Sequence, residues 1–171
     1  GSIPLVIDAD GLNTLAKTDL SVLGRTGCRV VLTPHPKEFE RLSGIPVGEI
    51  LRDPVRHARE FAAQYGVCLL LKGSCTVVSD GRDTLLVNRG CAGMATAGSG
   101  DVLSGVLAGL FGYSTASPLL TAACGAYLAG RAGELAEEKS NPVSMIASDT
   151  VEQLPFAVRE LMEAGGTLRA R

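Results

Sequence analysis

Apolar residues in the first half of the chain fall in short unbroken runs, not in alternation. "IPLVID" (3–8), "CRVVLT" (28–33) and "VCLLLK" (67–72) each read as a strand buried on both faces, the pattern of a parallel sheet. Polar and amphipathic stretches separate them. Residues 11–20 predict a short helix, and 37–42 a turn or two of helix broken by Gly44-Ile45-Pro46. Residues 53–66 predict a longer helix, with Pro54 near its start and Gly66 at its end. Val55, Ala58, Phe61, Ala62 and Tyr65 share one face of it. Residues 76–87 predict a hairpin around Asp80-Gly81. Helices are then expected over 101–110, 117–138 and 147–163, the last beginning near Ser148-Asp149, with a frayed tail over 165–171. Strands alternate with helices, so the class is α/β with a largely parallel sheet flanked by helices and carrying a β-hairpin. Neither a repeat nor a linker divides the chain, so residues 1–171 read as a single domain. Gly1-Ser2 read as a vector remnant. A buried strand so close to the start sets the expectation of a partial domain, with a native segment before Ile3.

Composition narrows the function. At 46% hydrophobic and 171 residues the chain supports one core. Its net charge of −2 shows no basic excess, and aromatics are 4% with no Trp, so neither a phosphate-tracking nor a base-stacking surface for nucleic acid is expected. No apolar run reaches the roughly 18 residues of a membrane span, and no signal peptide is visible. The cysteines (Cys28, Cys68, Cys75, Cys91, Cys124) are odd in number and form no C-x-x-C, which reads as reduced thiols of a cytoplasmic protein. With only His35 and His57, a zinc site is not expected. The apolar stretch 117–130 reads as core before interface, and the protein is expected to be a homo-oligomer.

The densest signal is "CAGMATAGSGDVLSGVLAGL" (91–110), where glycines surround one acid, Asp101, ahead of an apolar run. Each glycine inside an element costs roughly 0.5–1 kcal/mol relative to alanine, so the bare backbone needs a reason. One reason is an anion: the N–H groups of a helix start attract phosphate, and glycine lets it approach. An aspartate there can also take a proton from a hydroxyl that attacks the phosphate. The plainer reading is that Asp101 caps the helix and the glycines serve packing. The loop is neither a Walker A nor a G-x-G-x-x-G fingerprint.

Its context adds a resemblance. "GMATAGSGDVLSGVLAGL" (93–110), "DADGLNTLA" (8–16), "TPHPKEFERLSG" (33–44) and "KGSCTVVSDG" (72–81) occur in the order found in the ADP- or ATP-dependent NAD(P)H-hydrate dehydratases, a branch of the ribokinase-like superfamily. "AYLAGRAGELA" and "SDTVEQLP" also resemble that family, so the likeness runs from Asp8 to Pro155. The resemblance implies Asp101 as catalytic base in the substrate site, with Gly98 and Gly100 as the phosphate-facing anion hole. It implies that His35 meets the hydrated nicotinamide nucleotide, with Asp8, Asp10 and Asn13 on the substrate side or the metal-water side. Asp10 is equally readable as a helix cap. Lys72, Gly73, Ser74, Cys75 and Thr76 are implied to contact the nucleotide, as is the run from Cys91 to Gly100: Cys91, Ala92, Gly93, Met94, Ala95, Thr96, Ala97, Gly98, Ser99 and Gly100. Glu38 is implied to hold the water shell of a Mg²⁺ ion. Relatives commonly carry Asn-Pro where this chain has Cys91-Ala92, which alters one nucleotide contact.

What the resemblance implies is a repair reaction on NADH or NADPH that has gained water across a ring double bond. ADP or ATP phosphorylates the hydroxyl, and phosphate then leaves where hydroxide would not. Two other readings stay open: a ribokinase-like kinase of a vitamin precursor or sugar, and a non-catalytic nucleotide-binding or assembly fragment.

Overall fold

The computed structural model describes residues 3–169. The three apolar runs become β1 (Leu5–Ile7), β2 (Val30–Leu32) and β3 (Cys68–Leu71). The hairpin forms β4 (Thr76–Ser79) and β5 (Thr84–Val87). The five strands pair in sequence order, β1 with β2 and β2 with β3 in parallel, and β4 antiparallel to both β3 and β5. Only β4 therefore runs against the others.

Helices cover both faces, which is why β2 and β3 are apolar throughout. On one face lie α1 (Ala9–Leu15), α3 (Pro36–Ser43) and α5 (Pro54–Tyr65), with the short α2 (Val22–Arg25) and α4 (Val47–Ile50) at their edges. Leu12, Phe39, Ile50, Phe61 and Ala62 pack there on Leu32, Leu69 and Val77. On the other face α6 (Ser99–Tyr113) and α7 (Pro118–Lys139) pack Leu103, Leu107, Phe111, Ala122 and Ala126 on Val31, Leu70 and Val78. α8 (Ala147–Arg169) lies outside α7, held by Ala157 against Leu128 and Ala132. Arg131 joins the two, its Nε 2.7 Å from Glu160 and its Nη1 3.1 Å from Glu134. Those carboxylates, Glu160 first, hold the guanidinium above its ordinary pKa.

Several boundaries differ from expectation. Asp8, not Asp10, caps α1, which starts at Ala9 and stops at Leu15. α6 starts two residues before Asp101, because Gly98 takes a left-handed φ of 89° and turns the chain into it. α8 continues helically through Gly165 to Arg169, where fraying was expected, and the final two residues lie outside the described ones. On α5 the buried residues are His57, Ala58, Phe61 and Ala62; Val55 is 37% exposed. Residues 117–130 are core as expected, although Leu120 faces outward. All five cysteines are free thiols, and burial pushes Cys68 up to about 12, so it stays protonated and inert.

The glycines of α6 and α7 differ in purpose. A Cβ on Gly130 would stand 2.7 Å from the Arg89 carbonyl carbon and oxygen, whereas one on Gly109 meets nothing within 4 Å. Gly109→Ala is therefore expected to stabilise the fold by up to about 1 kcal/mol. Gly130→Ala is expected to destabilise it by about 1–3 kcal/mol through overpacking. Urea unfolding of the two variants checks the contrast, and equal effects would contradict it.

Candidate active site

Parallel strands deliver their carboxyl ends to one edge of the sheet. β1 is followed by Asp8, β2 by Thr33, Pro34 and His35, and β3 by Lys72. The ladder continues past the strands: the Thr33 amide donates to the Ile7 carbonyl at 3.2 Å, and the Lys72 amide to the Pro34 carbonyl at 2.9 Å. Asp8, His35 and Lys72 thus stand side by side, where open α/β sheets bind ligands.

Their side chains form one connected set. Lys72 Nζ donates to Asp8 Oδ1 at 2.9 Å and lies 3.8 Å from Glu38 Oε2. The other oxygen of Asp8 accepts from Ser104 Oγ at 3.1 Å. Asp8 also receives the Ala9 amide at 2.9 Å, and Ala9 has a φ of 47°, a strained value for a residue with a Cβ. Glu38 is buried; its Oε2 accepts the His35 amide at 2.9 Å and its Oε1 lies 3.5 Å from His35 Nε2. His35 Nδ1 in turn accepts the amides of Lys37 at 3.1 Å and Glu38 at 3.3 Å, capping α3. With Nδ1 used as acceptor, the proton of the neutral ring sits on Nε2, on a side chain that is half exposed.

The first turn of α6 lies over this set. A Cβ on Gly100 would sit 3.3 Å from Asp8 Oδ2 and 3.7 Å from Lys72 Nζ, so glycine allows the close approach. The first N–H groups of a helix lack intrahelical acceptors, which leaves the Gly100 and Asp101 amides beside the lysine as an anion-attracting turn. Beside them opens a cavity of about 510 Å³, within the range of nucleotide-sized ligands. Lys72, Gly73, Ser74 and Thr76 form one wall, and Arg89, Gly90, Cys91, Ala92 and Met94 another. Ser99, Gly100 and Leu103 of α6 and Ala126, Ala129 and Gly130 of α7 complete it.

Of the residues expected at a nucleotide, Lys72, Gly73, Ser74, Thr76, Cys91, Ala92, Met94, Ser99 and Gly100 therefore line the cavity. Cys75, Gly93, Ala95, Thr96, Ala97 and Gly98 are not on its wall. Gly93 is buried behind it, its amide donating to Glu137 Oε1 at 2.9 Å. Asp101 is exposed at the third position of α6 and is also off the wall. Asp10 and Asn13 line a different, polar groove with Lys17 and Arg41, whose Nη1 donates to Asn13 at 2.9 Å. Arg89, Gly90, Leu103, Ser104, Ala126, Ala129 and Gly130 escaped the sequence reading. Only the small residues of α7, spaced to present one face, carried a trace of it.

Magnesium finds no cage in these side chains. Among the described residues no three His, Cys, Asp or Glu side chains gather as ligands. Both oxygens of Glu38 already face His35 and Lys72, so the donor set does not fit a protein-held ion.

Ser99 Oγ is buried without a hydrogen-bond partner. An unmet buried hydroxyl costs about 1–3 kcal/mol. Ser99→Ala is expected to leave the unliganded protein at least as stable as wild type; a clear drop in melting temperature would show a partner at that oxygen.

The sequence profile of the NAD(P)H-hydrate dehydratase family matches residues 2–155. A bifunctional NAD(P)H-hydrate repair enzyme of Moorella thermoacetica is 43% identical over 98% of this chain and 32% of that protein. An ADP-dependent (S)-NAD(P)H-hydrate dehydratase of Neisseria meningitidis is 42% identical over 80% of this chain and 47% of that protein. The ADP/ATP-dependent NAD(P)H-hydrate dehydratase of Bacillus subtilis, co-crystallised with ATP/Mg²⁺, superposes with a TM-score of 0.81 at 29% identity, covering 92% of this chain and 55% of that one. The chain thus spans between a third and a little over half of the length of these relatives.

Proposed function

This chain belongs to the NAD(P)H-hydrate dehydratase family and has its ribokinase-like fold, and from that premise we propose that it binds ADP or ATP in the cavity and serves the nucleotide-dependent dehydration of hydrated NADH or NADPH. The carrying observation is the first turn of α6 laid over Lys72, where a Cβ on Gly100 would touch the ammonium at 3.7 Å and crowd the Asp8 carboxylate that holds it at 3.3 Å. Phosphates placed there would meet backbone N–H groups and one fixed cation together.

The proposed chemistry is the one that the family resemblance implies. Asp101 stands in the same turn and acts as base, taking the proton of the substrate hydroxyl as its oxygen attacks the terminal phosphorus. The nucleotide leaves shortened by one phosphoryl group. The lone pair of the ring nitrogen then expels inorganic phosphate, and loss of a neighbouring C–H proton restores the double bond. The amides of the turn stabilise charge on the transferring group. His35, half exposed and with Nε2 turned toward Glu38 Oε1, offers its ring to the substrate from the adjacent strand end. A magnesium ion would enter with the nucleotide phosphates and neutralise part of their charge. Asp10 and Asn13, in their own groove, are proposed only as an outer substrate contact.

Asp101→Asn is expected to lower turnover by about 10²–10⁴-fold, the range for a positioned general base, with ADP affinity within a factor of about two. The assay follows recovery of reduced-nicotinamide absorbance from hydrated NADH with ADP or ATP. Full activity in the variant would remove Asp101 from this role, and a stable phosphorylated product without dehydration would point to a kinase instead.

A further inference from the structure

Asp8 occupies a helix-capping position, yet its carboxylate does little capping. Its one bond to α1 goes to the next residue, Ala9, at 2.9 Å. Its other two bonds reach Lys72, 64 residues on, and Ser104, 96 residues on. The backbone is bent to permit this, since Ala9 holds a left-handed φ. The carboxylate is 13% exposed and the ammonium 23%.

We propose that Asp8 is the positioning residue of the phosphate-binding lysine. It holds Lys72 Nζ under the first turn of α6 and, through Ser104, fixes that turn's distance from the ammonium. The inference rests on the reading of the cavity as a nucleotide site. Gly100 and Ser104 are four apart on α6 and so share a face; Asp8 bonds that face at Ser104, and its Oδ2 would lie 3.3 Å from a Cβ placed on Gly100. Glu38 Oε2 lies 3.8 Å from Nζ on the side of β2. Without Asp8, the flexible lysine chain keeps only that second carboxylate and swings toward it. The ammonium then leaves the free amides of α6, and a phosphate loses the simultaneous contact with both.

A double-mutant cycle on the 171-residue chain tests this, with ADP as the calorimetric probe and a melting curve for each variant. Asp8→Ala and Lys72→Met are each expected to weaken ADP binding about tenfold, within the usual coupling range for contacting residues. The double variant is expected to bind within about twofold of Lys72→Met alone, because Asp8 acts through Lys72. A purely structural Asp8 would lower affinity by the same factor in both backgrounds, and that result overturns the proposal. Asp8→Asn, which keeps the volume and a contact with Ser104, replaces Asp8→Ala should the latter fail to fold; a smaller loss that again vanishes with Lys72→Met is expected. If wild type and Lys72→Met differ in ADP affinity while the Asp8 variants match wild type, the positioning role falls and the nucleotide site stands. If wild type itself fails to bind ADP at millimolar concentration, the nucleotide reading falls and takes this inference with it.

Discussion

A lysine withdrawn from water must be answered by negative charge, and Lys72 is answered from two directions. Asp8 comes from the end of β1 and Glu38 from the first turn of α3, beyond β2. Breaking such a set strands a charge, whereas keeping it whole costs desolvation that the hydrogen bonds offset. The positions of three strand ends and of α6 are therefore mutually constrained. The lysine closes β3, the carboxylate of Asp8 closes β1, and Ser104 brings α6 into the same arrangement. Ala9 takes up strain so that Asp8 faces inward. The cavity beside Gly100 inherits its shape from that bonding.

The opposite side of the cavity is built from closeness, not charge. α7 presents Gly130 to the Arg89 backbone, and a methyl at Gly133 would overlap the Met94 thioether. Gly93 admits Glu137, which takes its amide, while Glu134 takes that of Gly90 at 3.0 Å. The segment from Arg89 to Met94 is thus laid against a helix with few side chains in the way. The cavity floor consists of Ala126, Ala129 and Gly130, an apolar and nearly smooth surface of the kind that accepts a flat ring.

The sheet was legible because buried parallel strands leave unbroken apolar runs, and "CRVVLT" and "VCLLLK" contain β2 and β3 with one or two residues to spare at each end. α7 was equally plain, opened by Ser117 and Pro118. The start of α6 was misjudged because an acid attracts attention as a cap, while Gly98 does that work through its backbone. The site was half visible. Gly100 and Lys72 carry local motifs, and both line the cavity. Pairings across 64 and 96 residues have no local signature, so the role of Asp8 and the presence of Ser104 could not be read. Asp10 and Asn13 lie near Asp8 in sequence, but helical geometry turns them toward Arg41.

Asp101 differs from Asp8, Glu38 and Lys72 in one respect: it faces the bulk solvent. A sheltered base would need a chain of donors and acceptors to shed what it has gained. A carboxylate standing in water releases its proton to the buffer directly. In the proposed role, it would be made ready for another cycle by water itself, without any relay through the protein.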